Sequence, residues 1–197
     1  MKQIKKHSKS KIRIISGKWK NRKIEVLDEI NLRPTKESVR ETLFNWLRND
    51  IENASTIDLF AGTGALTFEA LSRNAKLSLA CESNLKILKK LKETKNKLIQ
   101  DDNINLTLIN KNAYKMLNFT NEHPFNIVFI DPPFNEKNIE EILTKLISNN
   151  WIQVGSLIYL ETDISGYELQ EETKNKFEQI RYKKNKKMQY ELLNYIG

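Results

Sequence analysis

Residues 58–71 read DLFAGTGALTFEAL. An apolar run of strand type, from residue 55, enters this stretch, and apolar residues at helical spacing leave it. Between them lie two glycines, Gly62 and Gly64. In a doubly wound sheet the turn after the first strand is where a ligand meets the backbone, and glycine permits that approach because it lacks Cβ and tolerates positive φ. The stretch predicts a strand, a glycine turn and a helix.

Outward from it, strands and helices alternate. Strands are predicted at 55–60, 77–82, 104–110, 126–131 and 157–161, with helices at 64–74, 84–99 and 138–149 and a short one at 114–118. Such units make a mostly parallel sheet with helices on both faces. Two β-rich runs, 176–183 and 188–195, are expected to pair as a terminal hairpin on the sheet edge. Upstream, residues 11–26 hold two β-prone runs around Ser16-Gly17-Lys18 and read as a hairpin. In residues 32–47, Thr35 is expected as N-cap, with Glu37 in the first helical turn and Val39, Leu43, Trp46 and Leu47 at helical spacing. The expected division is a basic arm and hairpin over 1–30 and an α/β domain over 31–197.

Charge is concentrated. The chain of 197 residues has a formal charge of +8, yet residues 1–23 hold ten Lys or Arg and no acid. Outside them, 23 basic residues meet 25 acidic ones. A second run, RYKKNKK at 181–187, carries five positive residues and no acid. Such blocks suit phosphate backbones. No apolar stretch approaches the length needed to span a bilayer, and the first residues lack a signal-type apolar region. His7 and His123 stand apart from other ligating residues, so no metal is expected. The one cysteine, Cys81, sits in an apolar strand as a buried thiol. The expected setting is the cytoplasm, with a monomer as the default state.

A nicotinamide enzyme is the natural competitor for a glycine turn. The dinucleotide fingerprint wants a third Gly or Ala three positions after the second, but position 67 is Thr, and no Gly occurs between residues 65 and 154. Asp58 beside the loop adds negative charge that suits a cationic ligand, such as S-adenosylmethionine. Glu82 closes the next strand 24 positions after Asp58 and fits the acid that takes two ribose hydroxyls. The fourth strand then delivers NIVFIDPPFNE at 126–136. An acid, two prolines and a ring at one strand end exceed what strand termination needs.

Taken together, these stretches resemble class I S-adenosylmethionine-dependent amino-methyltransferases. RIISGKWKNRKIEV, LRPTKESVRETLFNWL, DLFAGTGALTFEALSR, NIVFIDPPF and LIYLET occur in the order found in one family, the bacterial guanine-N2 methyltransferases of 16S ribosomal RNA. Residues 163–197 match it loosely. The resemblance implies a Rossmann-like fold and a small-subunit ribosomal RNA substrate. It puts Asp58, Phe60, Ala61, Gly62 and Gly64 beside the methionine part of the cofactor, Glu82 on the ribose, and Asn112 with Ala113 at the adenine. Asn112 reads equally as a helix N-cap.

Asp131, Pro132, Pro133 and Phe134 would form the catalytic group. An exocyclic amine is a poor nucleophile because its lone pair is delocalised into the ring. The Asp131 carboxylate and the Pro132 carbonyl, its direction fixed by Pro133, would accept its two N–H bonds and redirect that lone pair. Phe134 would offer a stacking face worth roughly 1–3 kcal/mol. Arg13, Lys18, Lys20 and Lys23 are candidates for phosphate contact, with Trp19 read as a stacking platform or hairpin packing. Arg33, Thr35 and Arg40 would border the pocket as a lid, or serve as a helix cap and two surface charges. Competing functions are adenine-N6 methylation of DNA, methylation of a protein glutamine amide, and a non-catalytic RNA-binding module.

Overall fold

The run Ile127-Val128-Phe129-Ile130 is apolar at every position because its strand is covered on both faces. The computed structural model of the protein describes residues 11–27, 35–100, 104–133 and 138–197. In chain order its elements are β1 (Lys11–Arg13), β2 (Lys23–Glu25), α1 (Glu37–Trp46), β3 (Ser55–Asp58), α2 (Ala65–Ser72), β4 (Leu77–Cys81), α3 (Leu85–Leu98), β5 (Asn105–Ile109), α4 (Ala113–Met116), β6 (Phe125–Ile130), α5 (Ile139–Ser148), β7 (Ile152–Asp163), α6 (Glu171–Lys174), β8 (Phe177–Lys184) and β9 (Met188–Tyr195). Ile127 and Phe129 of β6 join Leu43 and Phe44 of α1, Phe68 of α2 and Leu91 of α3 in one core layer. Val128 and Ile130 join Ile139, Ile142 and Leu146 of α5 in the other. Alternate residues of one strand thus hold two helical layers.

The seven-stranded sheet runs in the order β5-β4-β3-β6-β7-β9-β8. Pairs from β5 through β7 are parallel, and those joining β7, β9 and β8 are antiparallel. The chain builds outward from β3 to β5, then crosses back to place β6 on the other side of β3. A crevice therefore opens beyond the C-terminal ends of β3 and β6, the switch point where such sheets bind ligands. The expected terminal hairpin lies at the edge. Strand β7 is longer than its apolar centre predicts. It continues to Asp163 by pairing with Met188, and its start is irregular around Gly155, where φ is +89°.

The N-terminal hairpin pairs β1 with β2, Arg13 opposite Lys23. Its inner residues Ile12, Ile14, Trp19, Ile24 and Val26 are buried in the same core layer as α1, α2 and α3. Trp19 meets Phe68 edge-on at 6.5 Å between ring centroids, so packing is its role here. The turn is pinned to α2: Lys18 N–H donates to the Ser72 carbonyl over 2.8 Å, and Trp19 N–H donates to Ser72 Oγ over 3.0 Å. Gly17, at φ +79°, sits so close that an added Cβ would lie 1.7 Å from the Ser72 oxygen.

Candidate active site at the switch point

Strand β3 ends in Asp58, whose side chain is 2% exposed. Thr67, one turn into α2, donates its hydroxyl to Asp58 Oδ2 over 2.7 Å. Burial pushes this carboxyl up to about 7, opposed by the Thr67 hydrogen bond and reinforced by the charges of Asp131 and Glu82. In the sequence Thr67 marks a departure from the dinucleotide fingerprint; in the structure it holds the acid at the end of β3. Between Asp58 and α2, Gly62 and Gly64 have φ of +49° and +77°, and Ala61 N–H donates to the Cys81 carbonyl over 3.0 Å. The loop is thereby held against the end of β4.

Glu82 follows β4 and is nearly buried. Its Oε2 accepts from Gly62 N–H at 3.0 Å and its Oε1 from Asn84 N–H at 2.7 Å. Asn84 in turn caps α3 by accepting from Lys86 and Ile87 N–H groups. These bonds fix the carboxylate's orientation and leave each oxygen a second lone pair. After β5, Asn112 caps α4, its side chain accepting from Lys115 N–H, with Ala113 buried behind it. Phe60 meets Tyr114 of α4 edge-on at 6.3 Å. Asp58, Phe60, Ala61, Gly62, Gly64, Glu82, Asn112 and Ala113 all lie at the ends of β3, β4 and β5, along one rim of the crevice.

Strand β6 delivers the other wall. Phe129 pairs with Asp58 in the parallel ladder, so Asp131 emerges two residues beyond that level. Asp131 is half-buried, Pro132 buried and Pro133 exposed. Thr35 donates its hydroxyl to Asp131 Oδ2 over 2.8 Å. The expected helix-cap role of Thr35 therefore gives way: Lys36 occupies the N-cap of α1 without a side-chain cap bond. Phe134 and Arg33 lie outside the described residues.

The remaining predicted residues divide. Arg13, Lys18, Lys20 and Lys23 are exposed on the outer face of the hairpin. Arg13 pairs with Glu37, and Lys18 stands 5.3 Å over the Trp19 ring. The hairpin turn docks beside Ser72, at the end of α2 opposite the glycine turn, so Lys18 and Lys20 lie about a helix length, ~12 Å, from that turn. Arg40 is neither lid nor surface charge in this fold. It is 1% exposed, its Nη1 lies 3.5 Å from Glu69 Oε2, and its Nη2 donates to the Arg13 carbonyl over 3.0 Å. Burial draws its pKa down despite that partner. Glu69, unremarked in the sequence, is the anchor of the hairpin, accepting from Ile15 and Ser16 N–H groups at 2.8 and 3.0 Å.

The crevice gathers three carboxylates, Asp58, Glu82 and Asp131, close enough for two to perturb the third. Such a donor set fits a cationic ligand carrying a ribose and repels a pyrophosphate. Among the described residues no group of three or more His, Cys, Asp or Glu could hold a metal ion. No described helix is long and apolar enough to cross a membrane.

The sequence matches the family described as "Conserved hypothetical protein 95" over residues 12–194. Among curated proteins, the ribosomal RNA small subunit methyltransferase D of Haemophilus influenzae is 39% identical over 158 residues, covering 80% of this chain and 81% of that one. The protein of the same name from Escherichia coli is 42% identical over 159 residues, covering 80% and 78%. The solved structure of Escherichia coli yhhF superposes with a TM-score of 0.83 at 36% identity, covering 95% of this chain and 99% of that one. The expected Rossmann-like architecture with an N-terminal hairpin is borne out.

Proposed function

The chain belongs to the family described as conserved hypothetical protein 95, and from that premise we propose that it methylates the exocyclic N2 amine of a guanine in small-subunit ribosomal RNA, using S-adenosylmethionine. Methyltransferase chemistry on ribosomal RNA is what its named relatives support. The observation that carries the finer reading is the juxtaposition of Asp131, the residue just past β6, with buried Asp58, which ends the neighbouring β3.

When bound, S-adenosylmethionine supplies an electrophilic methyl group on a sulfonium. Asp58 would hold its cationic portion, Glu82 its ribose hydroxyls, and Asn112 with Ala113 its adenine. Asp131 and the Pro132 carbonyl would accept hydrogen bonds donated by the two N–H groups of the target amine, which localises the nitrogen lone pair and points it at the methyl carbon. Orientation of this kind is worth effective molarities of ~10⁵ M or more. The methylated nitrogen is cationic and acidic, and Asp131 or water takes its proton. The target base, drawn from its surroundings, would stack on Phe134. The proposed setting is the cytoplasm, with a monomer acting on the ribosomal subunit.

The test is transfer of labelled methyl from S-adenosylmethionine to naked 16S ribosomal RNA, to small ribosomal subunits and to DNA, followed by nucleoside analysis. N2-methylguanosine in RNA is the expected product. N6-methyladenine in DNA, or no transfer to any substrate, would overturn the proposal.

A further inference from the structure

We propose that the basic turn joining β8 and β9 is a second nucleic-acid-binding surface, gripping phosphates of the strand whose base enters the crevice. The inference rests on the RNA-methyltransferase reading above and adds a contact site to it.

Strand register places this turn on the same side of the sheet as Asp131. Ile130, the residue before Asp131, is paired with Leu160, and Leu160 with Glu191. Further along the same ladder, Asp163 is paired with Met188. The turn at 185–187 therefore lies past the catalytic edge of the sheet, about 10 Å beyond the level of Ile130 at ~3.3 Å per residue. Two strand spacings of ~4.8 Å separate the strands laterally. A polyanion with one base at Asp131 would run past this turn.

The chemistry of the turn agrees. Arg181, Lys183, Lys184, Lys186 and Lys187 are all exposed, and none makes an ion pair among the described residues. Asp163, the acid opposite Met188, receives the Ser165 N–H and hydroxyl. Asn185 orders the tip by accepting from Lys187 and Met188 N–H groups at 2.9 and 3.2 Å, holding Lys186 and Lys187 outward. Exposed Tyr182 stands among the cations, its hydroxyl donating to Gln189. Cations interleaved with an aromatic ring suit a single-stranded backbone with unstacked bases.

Edge protection is the bland alternative. Strand β8 is a sheet edge, and lysines blunt edges. That explains Lys183 and Lys184 within the strand. It does not explain Lys186 and Lys187, which lie past the ladder.

Two variants decide it: Lys183→Gln/Lys184→Gln/Lys186→Gln/Lys187→Gln, and the milder Lys186→Gln/Lys187→Gln, whose changes lie outside the strands. Lys89→Gln/Lys92→Gln, on the exposed face of α3, is the control. Affinity for 16S ribosomal RNA is measured against salt, and methyl transfer against subunit concentration. The log–log salt slope should flatten by ~0.7 per lost phosphate contact, so by roughly 2 to 3 in the quadruple variant and 1 in the double. KM should rise about tenfold in the quadruple variant with kcat within twofold, and the melting shift given by S-adenosylmethionine should persist. An unchanged slope and KM in both variants, or an equal loss per charge in the control, would leave edge protection as the only role. If the unaltered chain neither binds this RNA in a salt-dependent way nor methylates it, the functional reading falls as well.

Discussion

The hydroxyl of Thr35 donates to Oδ2 of Asp131 over 2.8 Å, tying the segment before α1 to the end of β6. One carboxylate oxygen is thus engaged by the protein itself, which sets the plane in which Asp131 would meet the amine of the proposed reaction. Hydrogen bonds to charged groups contribute about 1.5–3 kcal/mol. Thr35→Val is expected to lower kcat by ~10-fold or more without altering cofactor affinity, and Thr35→Ser to recover most of the loss. Single-turnover rates with calorimetric cofactor binding check this; a Val variant as fast as the parent would reduce the bond to a structural detail.

Glu69 gives a stability test. Its fully buried carboxylate accepts from two hairpin N–H groups and from Arg73 Nε, and faces buried Arg40. Arg40 Nε and Nη1 have no hydrogen-bond acceptor, so that charge depends on Glu69. Removing one partner of a buried pair costs about 3–5 kcal/mol. In urea denaturation Glu69→Ala should lose that much. Limited proteolysis should then cut within residues 11–27, while the isosteric Glu69→Gln, which keeps one oxygen acceptor, should be cut more slowly.

A pair of glycines separates backbone strain from docking. Gly17 and Gly155 both have positive φ, but a Cβ at Gly17 would strike the Ser72 carbonyl, whereas a Cβ at Gly155 meets nothing within 4 Å. Gly155→Ala should cost only the strain of a left-handed residue, about 1–3 kcal/mol. Gly17→Ala should cost clearly more. Equal melting temperatures for the two variants would mean that the hairpin is not held against α2.

Much of this was legible in the chain because it is locally encoded. The alternation of strand and helix, the glycine turn after β3 and the acid closing β4 each depend on neighbouring residues, and apart from β7, which starts five residues before its expected position, the boundaries fall within a few positions of the expected ones. Thr35, Arg40 and Trp19 read differently because their partners are remote. Thr35 sits where a cap belongs, yet its hydroxyl is claimed by Asp131, 96 positions on. Arg40 looks like a surface charge on a helix until the hairpin covers it and Glu69 faces it. Thr67 had a legible signal, a hydroxyl in the first turn of the helix that follows a strand-ending acid and its glycine loop. The basic turn at 181–187 was visible as charge; only strand register reveals which end of the sheet it overhangs.

Asp58 makes the site sensitive to pH. Desolvation raises its carboxyl to about 7 in the folded chain, against ~3.9 for an unfolded aspartate. The folded state therefore binds the proton more tightly, and the stabilisation this contributes is complete below pH ~4 and lost as pH rises through about 7. A cationic ligand favours the ionised form, so the two effects oppose each other. Without ligand, the chain should become less resistant to urea between pH 6 and 8, and Asp58→Asn, which can still accept from Thr67, should abolish that part of the decline. S-adenosylmethionine should bind about tenfold more tightly at pH 8 than at pH 6, a tenfold step per pH unit below the pKa, and Asp58→Asn should erase the dependence. Binding that weakens across the same interval in the parent protein, with the Asn variant unaffected, would show that Asp58 does not face the cation.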